Sequence, residues 1–180
     1  MRDARSAPAA RSPLEVSRAS DRSIARLVSW MSRSALSGEV QWQRRPLPGV
    51  GEVRDGEPRV LCVSPQDWLV VFPTANPGST ADLGAVELSR QGLACIEVTA
   101  GLCVLELKGT GASRILGKSC SLDFEGGGLE AGRCARVRFA SIPVVIHCLR
   151  SGELFELYLA RSHGAYLQSW LADAANGIAT

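Results

Sequence analysis

The chain has 180 residues, of which 46% are apolar and 21% charged, so it can bury a core and broad disorder is excluded. Its formal charge is only +2, too small a field to argue for nucleic acid, and no run approaches the roughly 18 apolar residues that cross a bilayer. Neither nucleic acid nor membrane is an expected partner.

In chain order, residues 1–23 come first and carry the whole charge excess, with Arg2, Arg5, Arg11, Arg18 and Arg22 against Asp3, Glu15 and Asp21. They read as an arm for a partner surface, and Met1–Ser12 lacks the apolar core of a secretory signal. Over Ser23–Leu36 the spacing of Ile24, Leu27, Val28, Met31 and Ala35 predicts an amphipathic helix, with Ser20 or Asp21 at its cap. Pro46, Pro48, Gly49 and Gly51 make residues 44–58 a connector. The division is thus an arm, helix and connector over 1–57 that binds a partner, and an α+β domain over 58–180.

Strands are predicted at Arg59–Val63 and Trp68–Phe72 around the turn Ser64–Asp67. Asn76–Ser79 is a break, and Thr80–Gln91 a helix capped by Ser79 or Thr80. Ala94–Lys108 reads as a hairpin turning at Ala100-Gly101. A short helix over Thr110–Lys118 follows, then the break Gly126–Gly128 and strands at Arg133–Phe139, Val144–Leu149 and Leu154–Leu159. The last of these sets Leu154 and Glu156 on one face and Phe155 and Leu157 on the other, leaving its buried face open. A helix from His163 to Ala175, capped by Ser162, closes the chain. Strand pairs separated by single helices predict an α+β fold of ferredoxin-like antiparallel sheet layers with helices on one face.

Chemistry-bearing residues are scarce. The six cysteines, Cys62, Cys95, Cys103, Cys120, Cys134 and Cys148, form no CxxC pair and no zinc-finger spacing with histidine. They read as reduced, mostly buried thiols of a cytoplasmic protein. His147 lies in an apolar strand and His163 in the first turn of the last helix. Gly109–Arg114 imitates a nucleotide-binding turn, with Glu130 further on, but Arg114 stands where the third glycine belongs. The run Gly126–Gly128 lacks the ending of a phosphate loop, no serine sits in a GxSxG elbow, and the four tryptophans form no stacking platform. The residues themselves reach no catalytic, cofactor-binding or metal-binding set.

A resemblance adds to this. Val104–Gly109 followed by Ala112–Asp123 is similar to the run of the gamma subunits of heterotetrameric sarcosine oxidase that ends in K-G-C-P-L-D-L. Gly132–Ala135, Asp67–Val71, and Phe155–Ser162 with Tyr166-Leu167 and Trp170-Leu171 resemble further blocks of that family. Likeness extends over about residues 58–176, with Arg11–Leu14 resembling an N-terminal S-P-L. Ser119, Ser121, Gly111, His163 and Glu97 depart from the family pattern, which marks a divergent member.

The resemblance implies part of the folate-dependent aminomethyltransferase fold, and a complex with alpha, beta and delta subunits. It implies that those partners hold FAD, FMN, NAD, tetrahydrofolate and zinc, and that this chain is a non-catalytic structural subunit binding none of them alone. The implied reaction of the complex is oxidative demethylation of sarcosine or a related secondary N-methyl amine, giving glycine, hydrogen peroxide and methylene-tetrahydrofolate. The alternative is a stand-alone folate-binding aminomethyltransferase-like protein assisting iron–sulfur enzymes, whose functional-cysteine motif Lys118-Ser119-Cys120 resembles at its start but Ser121–Phe124 does not continue.

Overall fold

In the computed structural model the described residues are 14–31, 40–73, 83–124 and 127–176. Residues 1–13, residues 32–36 of the helix expected over Ser23–Leu36, the Asn76–Ser79 break with the expected caps Ser79 and Thr80, and part of the glycine run lie outside them.

Among the described residues two five-stranded antiparallel sheets form the body of the fold. The first takes β1 (Glu15–Ala19), β9 (Leu102–Lys108), β12 (Leu154–Ala160), β11 (Ile142–Arg150) and β10 (Arg133–Phe139), in that spatial order. The second takes β5 (Val53–Arg54), β6 (Arg59–Ser64), β7 (Asp67–Phe72), β2 (Ser23–Ser29) and β8 (Leu93–Glu97). A two-stranded ribbon, β3 (Gln41–Trp42) with β4 (Arg45–Pro46), completes the strands. The helices are α1 (Ala85–Arg90), α2 (Ala112–Ser119) and α3 (Gly164–Asn176).

Alternation along the strands divides the core into layers. Ile24, Leu61, Leu69 and Val71 of the second sheet meet Val104, Val145 and Tyr158 of the first, so the sheets pack face to face. On the far side of the first sheet, Leu105, Leu107, Phe155 and Leu157 pack under Ile115 and Leu116 of α2 and Leu167 and Leu171 of α3. On the far side of the second, Ala25, Leu27, Val60 and Trp68 pack with Leu88 of α1 and Trp42 of the ribbon. Each antiparallel sheet therefore carries helices on one face, as the α+β reading expects. Among the described residues no helix is long and apolar enough to cross a membrane.

Several local expectations are corrected. Residues 23–29 are strand, not helix: β2 lies between β7 and β8, and both of its faces are covered. A central strand covered on both sides carries apolar residues on both faces, here Ile24, Ala25, Leu27 and Val28, so a helical spacing can be picked from it. The 94–108 hairpin does not form. β8 pairs with β2 in one sheet while β9 pairs with β1 and β12 in the other. A 3-10 turn at Thr99–Gly101 carries the chain across, and Thr99 Oγ1 accepts the Ile24 amide at 2.7 Å. The 44–58 connector contains β5 and part of the ribbon, and its Glu52 forms a bridge to Arg133 of β10. Ser162 lies inside a 3-10 turn, Arg161–His163, that precedes α3 rather than capping it. The open register of β12 resolves with Phe155, Leu157 and Leu159 toward the helices and Tyr158 toward the other sheet.

Candidate functional site

The space between the sheets holds the polar groups that the sequence leaves unassigned. Glu156 interrupts the apolar strand β12 and is fully buried. Directly across the ladder are His147 on β11 and Glu106 on β9. Arg59 of β6 donates from Nη1 to Glu156 Oε2 at 2.9 Å, Tyr158 donates its hydroxyl to the same oxygen at 2.6 Å, and His147 Nδ1 lies 3.4 Å from it. Arg22, in the turn between β1 and β2, forms an ion pair with Oε1. Burial alone would raise the Glu156 pKa, but the bonds from His147 and Tyr158 and the charges of Arg22 and Arg59 outweigh it and hold the carboxyl down at about 2. Burial, and next the charge of Glu156, push the Tyr158 phenol well above its ordinary range. This arrangement ties the sheets together: Glu156, His147 and Tyr158 come from the first sheet, Arg59 from the second and Arg22 from the link between them.

A second polar group lines a cleft of about 290 Å³ at one end of the same interface. Asp67 of β7 accepts two bonds from Arg26 of β2, Nε to Oδ1 and Nη2 to Oδ2, both at 2.7 Å. Arg136 of β10 approaches Oδ2 at 3.6 Å. Apolar walls come from Val98, Leu102, Pro143 and Leu159, with His163 at the rim.

The residues weighed from sequence fall as follows. His147 is buried in the Glu156 cluster, 1% exposed, while His163 sits at the cleft, so the two histidines are not brought together. The Gly109–Arg114 turn follows β9, a strand antiparallel to both its neighbours, and so has no parallel unit in which to seat a dinucleotide. Cys120 is half-buried at the end of α2, its Sγ directed to the Leu116 carbonyl at 3.4 Å, and burial raises its pKa. All six cysteines are free; burial pushes Cys62 to about 11 and Cys134 to about 12, away from the thiolate form. Among the described residues no group of three or more His, Cys, Asp or Glu is placed to hold a metal ion. The Glu156 cluster and the Arg26–Asp67–Arg136 group escape a motif search because their members come from strands far apart in sequence. One signal was present: a glutamate within Leu-Phe-Glu-Leu-Tyr-Leu needs a partner once that strand is buried on both faces.

With this geometry in place, comparison with solved structures gives the fold class. The chain is similar to a chain of the heterotetrameric sarcosine oxidase from Corynebacterium sp. U-96 in complex with pyrrole 2-carboxylate, with a TM-score of 0.78, 22% identity, and coverage of 95% of this chain and 88% of that one. It is also similar to the glycine cleavage system aminomethyltransferase T from Bartonella henselae, with a TM-score of 0.60 and 16% identity, over 92% of this chain and 47% of that one. It thus has the fold of a sarcosine oxidase chain and spans about half of the aminomethyltransferase. No curated protein matches it. The family model for the sarcosine oxidase gamma subunit matches residues 46–177, and the chain belongs to that family.

Proposed function

We propose that the chain is a non-catalytic structural gamma subunit of a heterotetrameric, flavin-dependent oxidase acting on sarcosine or a related secondary N-methyl amine, assembled with alpha, beta and delta subunits in the cytoplasm. The family match over residues 46–177 carries this reading. On it, the partners hold FAD, FMN, NAD, tetrahydrofolate and zinc, and the complex releases glycine, hydrogen peroxide and methylene-tetrahydrofolate. The residue chemistry supports leaving this chain outside the reaction. Its buried carboxylate Glu156 is enclosed and ion-paired, and burial pushes the Cys62 and Cys134 thiols away from the nucleophilic form. The segment before residue 58 supplies part of the partner surface on this reading, and it presents Trp30 and Val50, 61% and 52% exposed.

The stand-alone folate-binding reading is not favoured. Its functional cysteine corresponds to Cys120, whose thiol is turned back onto its own helix, and the chain spans about half of the aminomethyltransferase it matches.

The test is substitution within the co-expressed complex. His147→Gln, His163→Ala and Cys120→Ala are each expected to leave turnover per flavin within about twofold of the parent, because a general acid or base contributes about a hundredfold or more. A hundredfold fall in kcat with assembly intact would place chemistry on this chain.

A further inference from the structure

The cleft between the sheets is lined by two guanidinium groups and a single carboxylate. Asp67 is nearly buried, its side chain 7% exposed, and its two oxygens are engaged by the fork of Arg26. One carboxylate compensates one guanidinium. Arg136 enters from the opposite sheet, half exposed at 52%, and at 3.6 Å its contact with Asp67 is longer than a hydrogen bond. The charged side chains lining the cleft are therefore two cations and one anion. The surplus is a single positive charge beside the apolar walls of Val98, Leu102, Pro143 and Leu159.

From this we propose that the cleft is a binding site for a monocarboxylate on an apolar body, its two oxygens taken by the free guanidinium edge of Arg136 and its body by the apolar walls. Arginine presents planar paired donors that match a carboxylate. A single surplus charge suits a monoanion, and a phosphate dianion would leave one charge uncompensated beside apolar side chains. A volume of about 290 Å³ suits a body the size of one aromatic ring, at the small end of ligand pockets. The carboxylate has two sources, a free small acid or an acidic side chain with apolar neighbours on a partner subunit.

The experiment uses 4-fluorobenzoate as the probe and 4-fluorobenzamide as its neutral counterpart, followed by fluorine NMR on the co-expressed complex with and without Arg136→Gln. Arg136 is on a sheet edge and half exposed, so its replacement leaves the fold intact. For a free acid, fluorobenzoate binds, fluorobenzamide does not compete, and Arg136→Gln weakens the binding about tenfold or more. For a partner's acid, fluorobenzoate finds the cleft occupied, and Arg136→Gln instead makes the chain leave the complex at lower salt than the parent. The proposal is overturned if Arg136→Gln changes neither fluorobenzoate binding nor the salt at which the chain dissociates, or if the benzamide binds as well as the benzoate. Should the chain assemble with no partner, the subunit reading fails separately, and the same titration of the full chain alone still decides this one.

Discussion

Glu156 shows what one buried charge requires of its neighbours. Its carboxylate is shielded from water on every side, and it stays ionised because His147, Tyr158, Arg22 and Arg59 face it from three directions. Replacing it by glutamine would keep the volume and leave two arginines facing a neutral amide. Glu156→Gln is expected to cost about 3–5 kcal/mol, the usual penalty for breaking a buried pair from one side, seen as a lower denaturant midpoint. The depressed pKa also fixes a pH dependence. Folding lowers it from 4.5 to about 2, so the unfolded chain binds the proton more readily. The stabilisation, about 3 kcal/mol from the size of that shift, is fully present above pH 4.5 and is lost as pH falls toward 2. Unfolding titrations of the parent should steepen across that window, and those of Glu156→Gln should flatten there. Gly51 is a second residue whose identity the fold dictates. With φ of +76° it donates its amide to Cys62 at 3.0 Å and accepts from the Cys134 amide at 2.9 Å, stitching the second sheet to β10 of the first. A Cβ there would meet the Cys134 carbonyl at 3.2 Å, and Gly51→Ala is expected to cost about 1–2 kcal/mol in chemical unfolding.

At the scale of elements, packing decided more than local preference. α3 is amphipathic in sequence and in space: Leu167 and Leu171 are fully buried against the first sheet, while Gln168 is exposed. Leu167→Ala or Leu171→Ala should each destabilise by about 2–5 kcal/mol, whereas Gln168→Ala should stay within about 0.5 kcal/mol; parallel denaturation curves separate the two. That helix, α2 and strands β6, β7, β10, β11 and β12 were legible because each buries one patterned face or is bounded by strong turn residues. β2 was not, since covering both faces of a strand erases the period-2 signal. The 94–108 segment failed differently. Ala100-Gly101 is a plausible hairpin turn locally, but Thr99 is held by the backbone of Ile24, a partner 75 residues away, and the chain passes to the other sheet. Such a long-range bond leaves no local pattern.

For the whole molecule, residues 14–31 take on a new meaning. β1 lies at the edge of one sheet and β2 in the interior of the other, so these residues are woven into the two sheets. The charge excess assigned to residues 1–23 is partly internal as well, because Arg22 is paired with the buried Glu156. The scarcity of histidine and the unpaired cysteines were legible in composition, and so was the family, through the Lys118–Asp123 and Arg161–Leu171 blocks. The two polar groups between the sheets were not, because Arg59 and Glu156, or Asp67 and Arg136, meet only after both sheets have formed. On the proposed function this chain builds an oxidase without performing its chemistry. The most direct measurement is sarcosine-dependent oxygen uptake by the partner subunits expressed with and without this chain. An assembled, yellow, active complex is expected only when the chain is present. A soluble complex of the remaining subunits with full activity would contradict it.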